Sequence, residues 1–406
     1  MAGLKVGLIG LGGVARWTHL PALAKIDPEI ATLHAVCDRN AELAAKTAAE
    51  AGGTAYTEPE RLLDEAGCDC LIIGIPPHLH GDLEHRCIAA RLPFLMEKPA
   101  HRHIEQAIEI ADAVDAAGLV AGVGYLDRYQ RSNDAVREFL ASSPAGAFTG
   151  YWIGGIYNVP WWIKRDQGGG QHFEQTTHIY DLSRYFFGEV VEVFARGVTG
   201  LNNDIDGYDI EDASAATLVF ESGLVGVVWS GCFVRQAPGR NGMDIFTRSG
   251  RVEYHNRSHV VIHTKGGQER TERETDQGLA EDLAFFENLV PAGDKLEIHR
   301  FKVERDALPG EYRYRLLLLQ GGRRERPFQG SLQLLVSVQE GGRDAMITLP
   351  AAGDSPGIAY RLSFKHFFRV EGNFRVPAAA KVRSVQARVL ESGSNQARAT
   401  QQVDLS

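Results

Sequence analysis

A glycine turn set directly after an apolar run near the start of the chain narrows the possible folds more than any other feature. Leu4 to Ile9 is largely apolar, Gly10-Leu11-Gly12-Gly13-Val14-Ala15 follows, and a helix-compatible stretch with His19-Leu20-Pro21-Ala22-Leu23 comes next. Strand, turn and helix in that order are the setting a dinucleotide-binding fingerprint requires. In the spacing G-x-G-x-x-A, Gly10 permits the tight turn, Gly12 lets the backbone approach a pyrophosphate, and the small Ala15 lets helix and strand pack closely. Gly13 and Val14 complete the cofactor-facing turn, whose amide groups favour an anion. A second apolar run, Leu33 to Cys37, ends at Asp38, the offset of a carboxylate that accepts hydrogen bonds from the adenosine ribose. Asp38 favours NAD, while Arg39 beside it leaves NADP open, since a guanidinium can stack on adenine or take a 2′-phosphate.

A third apolar run, Cys70 to Ile75, breaks at Pro76-Pro77-His78-Leu79-His80, and a helix-like segment leads to Leu92-Pro93-Phe94-Leu95-Met96-Glu97-Lys98-Pro99. That order of motifs resembles the glucose-fructose oxidoreductase, inositol dehydrogenase and MocA family of NAD(P)-dependent oxidoreductases. The resemblance implies that Lys98 reaches both the nicotinamide ribose and the substrate hydroxyl, and that Pro76, His80 and Glu97 lie against the cofactor. It extends to Trp161-Trp162-Ile163-Lys164-Arg165-Asp166-Gln167-Gly168-Gly169-Gly170, which precedes His172-Phe173-Glu174-Gln175-Thr176-Thr177-His178-Ile179-Tyr180-Asp181. In a helix, Glu174 and His178 share a face and Asp181 follows on the next turn. The family implies that His178 is the general acid/base. Glu174 stands where the family usually has aspartate, one methylene longer, and is expected to hold a substrate hydroxyl. Asp181 is expected to orient His178, and Trp161 and Trp162 offer flat faces of the kind that pack on sugar rings.

At 406 residues the chain can bury several cores. The expected architecture is α/β: a Rossmann domain with a doubly wound parallel sheet over 1–125, then an α+β substrate domain with an open mixed sheet over 126–296. A small all-β module over 297–406 follows. Strands are expected at Val190 to Arg196, Ala213 to Phe220 and Leu224 to Trp229, and a helix at Gly278 to Val290. The resemblance stops near Glu297, before the family's closing helix. Beyond it, Tyr312 to Gly322, Gly330 to Val338, Tyr360 to Val370 and Val382 to Val389 read as short strands with glycine-rich turns in a tail where basic residues outnumber acidic ones. Arg300-Phe301-Lys302-Val303-Glu304 and Phe364-Lys365-His366-Phe367-Phe368 resemble the C-terminal β domain of uncharacterised proteobacterial proteins, which suggests a fusion.

A net charge of -9 argues against nonspecific nucleic-acid binding. No stretch approaches a transmembrane length, and the first residues run into a strand rather than a signal peptide, so no membrane association and a cytoplasmic location are expected. Five cysteines, mainly in or beside expected nucleotide-domain elements, argue against a disulfide scaffold. The pairs His78-x-His80 and His101-x-His103 lack the companions of a metal site, so no metal is expected. By resemblance, the substrate-domain sheet implies a homo-oligomer, dimer or tetramer. The expected reaction is hydride transfer between nicotinamide and a hydroxyl of a sugar, polyol or sugar derivative. Two other readings stay open: an NAD-dependent glycoside hydrolase of the same fold that retains its cofactor, and an inactive cofactor-binding scaffold.

Overall fold

The computed structural model describes residues 3–405 except 131, 158, 256–258, 266, 268, 274–277, 290–294, 307–308, 322–327, 351–359, 365–366, 378–379 and 395. Lys365 and His366 of the tail motif therefore lie outside the described residues.

The N-terminal runs form six parallel strands, β1 (Leu4–Ile9), β2 (Ala31–Cys37), β3 (Thr54–Tyr56), β4 (Cys70–Ile73), β5 (Phe94–Glu97) and β6 (Ala121–Gly124). Their order across the sheet is β3-β2-β1-β4-β5-β6, which is doubly wound, with the order reversing between β1 and β4. β4 is buried along its whole length, as expected when helices cover both faces of a parallel sheet. Ligands of such sheets bind beyond the carboxyl ends of the strands at that reversal. The glycine turn, Pro76, Lys98 and Tyr125 all stand at those ends.

The second sheet has eight strands: β7 (Ala145–Ile153), β8 (Val190–Val198), β9 (Ala213–Phe220), β10 (Val225–Gly231), β11 (Arg240–Thr247), β12 (Gly250–His255), β13 (His259–Thr264) and β14 (Glu269–Arg273). It is mixed, in the order β14-β13-β12-β11-β7-β10-β9-β8. β9 alternates buried and half-buried along its length, the period of a strand with one face on a core. Gly223, at φ +82, turns the chain from β9 into β10, the left-handed backbone a tight hairpin needs. The helix Thr177–Phe187 packs on the inner face through Ile179 and Leu182.

The tail is all β. Strands β15 (Leu296–Arg305), β16 (Glu311–Gln320), β17 (Phe328–Glu340), β18 (Arg343–Leu349), β19 (Arg361–Phe364), β20 (Phe367–Arg375), β21 (Lys381–Glu391) and β22 (Ala397–Asp404) make two sheets, β15-β16-β20 and β18-β17-β21-β22 with β19 on β17. One core joins them, with Tyr314, Leu316 and Leu318 from the first sheet and Leu332, Leu334 and Val385 from the second.

The tail, which has its own core, also packs on the nucleotide domain. Alternate side chains of β16 point the other way, and Leu317 and Leu319 enter the apolar cluster of Leu4, Val6 and Leu8 together with Phe285 and Phe286 of the helix Leu279–Asn288 and Leu289 just after it. The run Leu316 to Leu319 is thus buried on both faces of its strand. Leu319→Ala should lower the unfolding free energy by about 2–5 kcal/mol. In a urea titration the tail and the nucleotide domain should unfold together; an early transition confined to the tail would contradict the shared core.

Candidate active site

Backbone constraints set the glycine turn. Gly10 sits at φ +86, and a Cβ there would fall 2.2 Å from the Gly74 carbonyl oxygen of the neighbouring strand end, so only glycine fits. At Gly12 a Cβ would meet nothing within 4 Å, and the space that a side chain would fill lies open above the turn. Asp38 braces the same loop. Its Oδ2 accepts the Leu11 N–H at 2.9 Å and its Oδ1 the Asn40 N–H at 2.8 Å. Each oxygen keeps a second lone pair, as a ribose diol requires. Arg39 is exposed and Ala15 buried, and the turn Ala15–His19 is widened to the π form before the helix Leu20–Lys25 begins. The open cradle at Gly12 and the braced carboxylate fit a dinucleotide.

Lys98 leaves the end of β5 just before a cis Lys98-Pro99 bond. Its Nζ donates to the Glu174 carbonyl oxygen at 2.6 Å and lies 3.3 Å from Glu174 Oε2, joining the two domains. A second widened turn, His172–Thr176, carries Glu174 and runs into the helix that bears His178. Such widened turns are frequent at functional sites. Burial pushes the Glu174 carboxyl above its usual range against the opposing pull of Lys98. Its Oε1 is buried with no hydrogen-bond partner among the described residues.

His178 is buried, stacked on Trp152 at 5.9 Å and edge-on to Tyr125 at 6.2 Å. The Tyr125 hydroxyl bonds Thr177 at 2.9 Å, and burial is the main force raising its pKa, with the nearby Lys98 charge lowering it. Tyr125 therefore ties the lysine side of the cleft to the histidine side.

Three sequence expectations change. Asp181 does not orient His178; it accepts a paired bond from Arg128, 2.7 Å to Nε and 2.6 Å to Nη2, because the next helical turn brings it to the segment after β6. The carboxylate beside the imidazole is Asp127, whose Oδ2 is 3.7 Å from His178 Nδ1. Trp162 offers no face to a sugar: it is a core residue with Ile210 and Cys232, its Nε1 donating to Gln175 at 3.0 Å, while Trp161 is half-buried against the same cluster. Glu97 turns inward, where Oε1 meets His19 Nε2 at 3.1 Å and Oε2 accepts the Lys98 N–H at 3.2 Å. It lies against Gly124, where a Cβ would come within 3.0 Å of the carboxyl group. His80 directs Nδ1 to Glu84 at 2.7 Å, and its Nε2 is buried with no partner among the described residues. Pro76 opens the short turn Pro77–Leu79 at the end of β4.

Tyr125, Asp127, Arg128 and Trp152 were not read from the sequence as site residues. The position of Tyr125 just past a parallel strand was the available signal; Asp127 and Arg128 follow on a turn with no periodic cue.

Residues 4–125 match an oxidoreductase family with an NAD-binding Rossmann fold, and residues 145–253 match the GFO/IDH/MocA C-terminal domain. Over residues 4–253 this chain belongs to the GFO/IDH/MocA oxidoreductases. The family's nucleotide domain is an NAD-binding Rossmann fold, and the open turn at Gly12 fits such a cofactor. Residues 264–387 match a family of unknown function. The myo-inositol 2-dehydrogenase of Thermotoga maritima is 26% identical over 231 residues, 55% of this chain and 67% of that protein. The scyllo-inositol 2-dehydrogenase (NAD(+)) of Bacillus subtilis is 25% identical across 55% of this chain and 66% of its own length. This chain thus spans about two thirds of these relatives. The structure of levoglucosan dehydrogenase in complex with NADH and levoglucosan superposes with a TM-score of 0.63 at 21% identity, covering 70% of this chain and 89% of that one, a likeness of fold.

Behind Glu97, Glu281 is 1% exposed with neither carboxyl oxygen hydrogen-bonded among the described residues. Burial, then the Glu97 and Asp282 charges, raise it well above its ordinary value of 4.5. A carboxyl raised on folding binds its proton more tightly folded than unfolded, so it costs stability as pH climbs above 4.5. Glu281→Gln should gain stability over the unsubstituted chain steadily from pH 4.5 upward in chemical denaturation; a pH-independent difference would contradict the assignment.

Proposed function

We propose that this chain is an NAD-dependent dehydrogenase that oxidises a hydroxyl of a sugar, polyol or sugar derivative. The observation that carries this reading is the meeting of Lys98, Glu174 and His178 at the carboxyl ends of the parallel strands, beside the glycine cradle. Bound nicotinamide supplies the hydride acceptor. The chain's own residues handle the proton and the oxygen. His178 takes the hydroxyl proton, a task suited to imidazole because both of its protonation states are available near neutrality. Asp127 stabilises the imidazolium that forms, at its 3.7 Å separation. The Lys98 ammonium lowers the cost of the developing alkoxide in a site closed to bulk water. Glu174 Oε1, buried and open to a donor, accepts a neighbouring substrate hydroxyl and so selects polyhydroxylated molecules.

Gly10, Gly12, Gly13, Val14, Ala15 and Asp38 hold the dinucleotide, with His80 Nε2 as a further donor or acceptor at the strand ends. Asp38 sets a preference for NAD, since a carboxylate repels a 2′-phosphate. The relatives' substrates include inositols and levoglucosan, all cyclic polyols or anhydrosugars, and support the substrate class.

The second sheet supports self-association. Val193, Phe194 and Val198 on β8, Trp229 on β10 and Phe246 on β11 are exposed, more apolar surface than an isolated sheet leaves in water. A second copy is the occupant we assign to it, as a dimer or tetramer. A cytoplasmic setting suits the five cysteines, which are buried free thiols. Among the described residues no helix is long and apolar enough to cross a membrane.

The purified chain should reduce NAD with at least one member of a panel of cyclic polyols, aldoses and anhydrosugars. Lys98→Ala and His178→Ala should each lower kcat/KM by about 100-fold or more. Cofactor binding without turnover across the panel would overturn the dehydrogenase reading. Phe194→Asp should halve the mass seen by light scattering; a native mass equal to one chain would exclude the assembly.

A further inference from the structure

His19 is the last residue of the widened turn after the glycine loop, and it is fully buried. Its Nε2 stands 3.1 Å from Glu97 Oε1, and its Nδ1 3.0 and 3.2 Å from the two oxygens of Asp282 on the helix Leu279–Asn288. With both carboxyls ionised, an imidazole between them carries a proton on each nitrogen, because a neutral ring would set one lone pair against an acceptor; burial raises the Asp282 carboxyl and the His19 charge opposes that rise. The Glu97 carboxylate belongs to the residue before Lys98 and already accepts the Lys98 N–H. Without His19 this carboxylate would lose its buried partner and be left to the field of the Lys98 ammonium, whose present counter-charge is Glu174 Oε2 at 3.3 Å.

We propose that His19 is a buried imidazolium that positions Lys98: by engaging the Glu97 carboxylate it keeps that group off the adjacent ammonium, leaving Lys98 to Glu174 and the substrate. The surrounding charges agree. Burial opposes charging His19, yet Asp282 and Glu97 outweigh it and hold its pKa well above the usual histidine value. Burial raises Glu97, but His19, and after it Lys98, hold that carboxyl below its usual range. Glu281 faces the same pocket, with Asp127 beyond it, and its raised pKa leaves His19 to Glu97 and Asp282. Helix, strand end and glycine loop are thus joined through one cation.

The consequence for Lys98 rests on the dehydrogenase reading; the charge state of His19 does not, and two measurements separate them. In the ¹⁵N-histidine-labelled full chain, one imidazole should keep both nitrogens protonated well above the pH at which an ordinary histidine loses its second proton, and its signal should vanish in His19→Gln. If no imidazole does so, the proposal falls, whatever the activity. In steady-state assays, His19→Gln should lower kcat/KM about 10- to 100-fold with NAD affinity unchanged. Adding Glu97→Gln should restore most of the loss, since the competing carboxylate is gone. A role in packing alone predicts that the second substitution deepens the loss, and that result overturns the proposal. Should His19→Gln fail to fold, Glu97→Gln alone must lower the pH at which the labelled imidazole loses its second proton, and an unmoved imidazole overturns it. Absence of turnover with a confirmed imidazolium would instead sink the dehydrogenase reading.

Discussion

The reach of the Lys98 ammonium to Glu174 is the contact on which the site depends, because it joins a strand end of the nucleotide domain to the widened turn of the substrate domain. Each partner is held from behind. Lys98 is fixed through its own N–H by Glu97, and Glu174 by a segment that packs, through Ile179 and Leu182, on the eight-stranded sheet. A cleft assembled this way places a cation, a carboxyl pushed toward neutrality and an imidazole within one water-poor space. Electrostatic effects are strongest there, since little solvent intervenes.

What could be read from the chain was whatever local pattern determines. The glycine turn, Asp38, the parallel strands and β8, β9 and β10 follow from short-range constraints: a positive φ at Gly10, an apolar run, an alternation of period two. The elements that went unread are those where contact is made over distance. Asp181 and Asp127 are both plausible partners of His178 in sequence, and only the fold gives Asp181 to Arg128. Trp162 beside three glycines looks exposed, yet Gly168 lets the chain turn close under it, with a Cβ there only 3.1 Å from the Trp162 carbonyl oxygen. The four leucines of β16 were a legible signal of burial on two faces, but the second surface they cover lies some 300 residues away in the chain, counting from Leu317 to Leu4.

That distant contact bears on the site. The helix Leu279–Asn288 sets Phe285 and Phe286, with Leu289 just past its end, in one cluster with Leu317 and Leu319 of the tail and Leu4, Val6 and Leu8 of the first sheet. The tail thus supplies apolar cover to the first sheet and to that helix. A helix seated between two apolar partners delivers Asp282 to His19, and His19 engages the Glu97 carboxylate.

A buried group of carboxylates around one imidazolium is an expensive way to hold a helix, because desolvation of such charges can exceed their mutual attraction and apolar residues of the same volume often stabilise more. Removing one partner from such a group costs about 3–5 kcal/mol, since the charge left behind has no counter-ion. The tolerance of that arrangement, including a carboxyl at Glu281 with no hydrogen-bond partner among the described residues, makes sense where geometry at Lys98 matters more than stability. Apolar packing can hold Glu97 in place only loosely; an ion pair to a buried ring, itself pinned at its other nitrogen, fixes its direction. Direction is what the ammonium beside it requires, for a carboxylate free to swing would neutralise the one cation that the developing alkoxide needs.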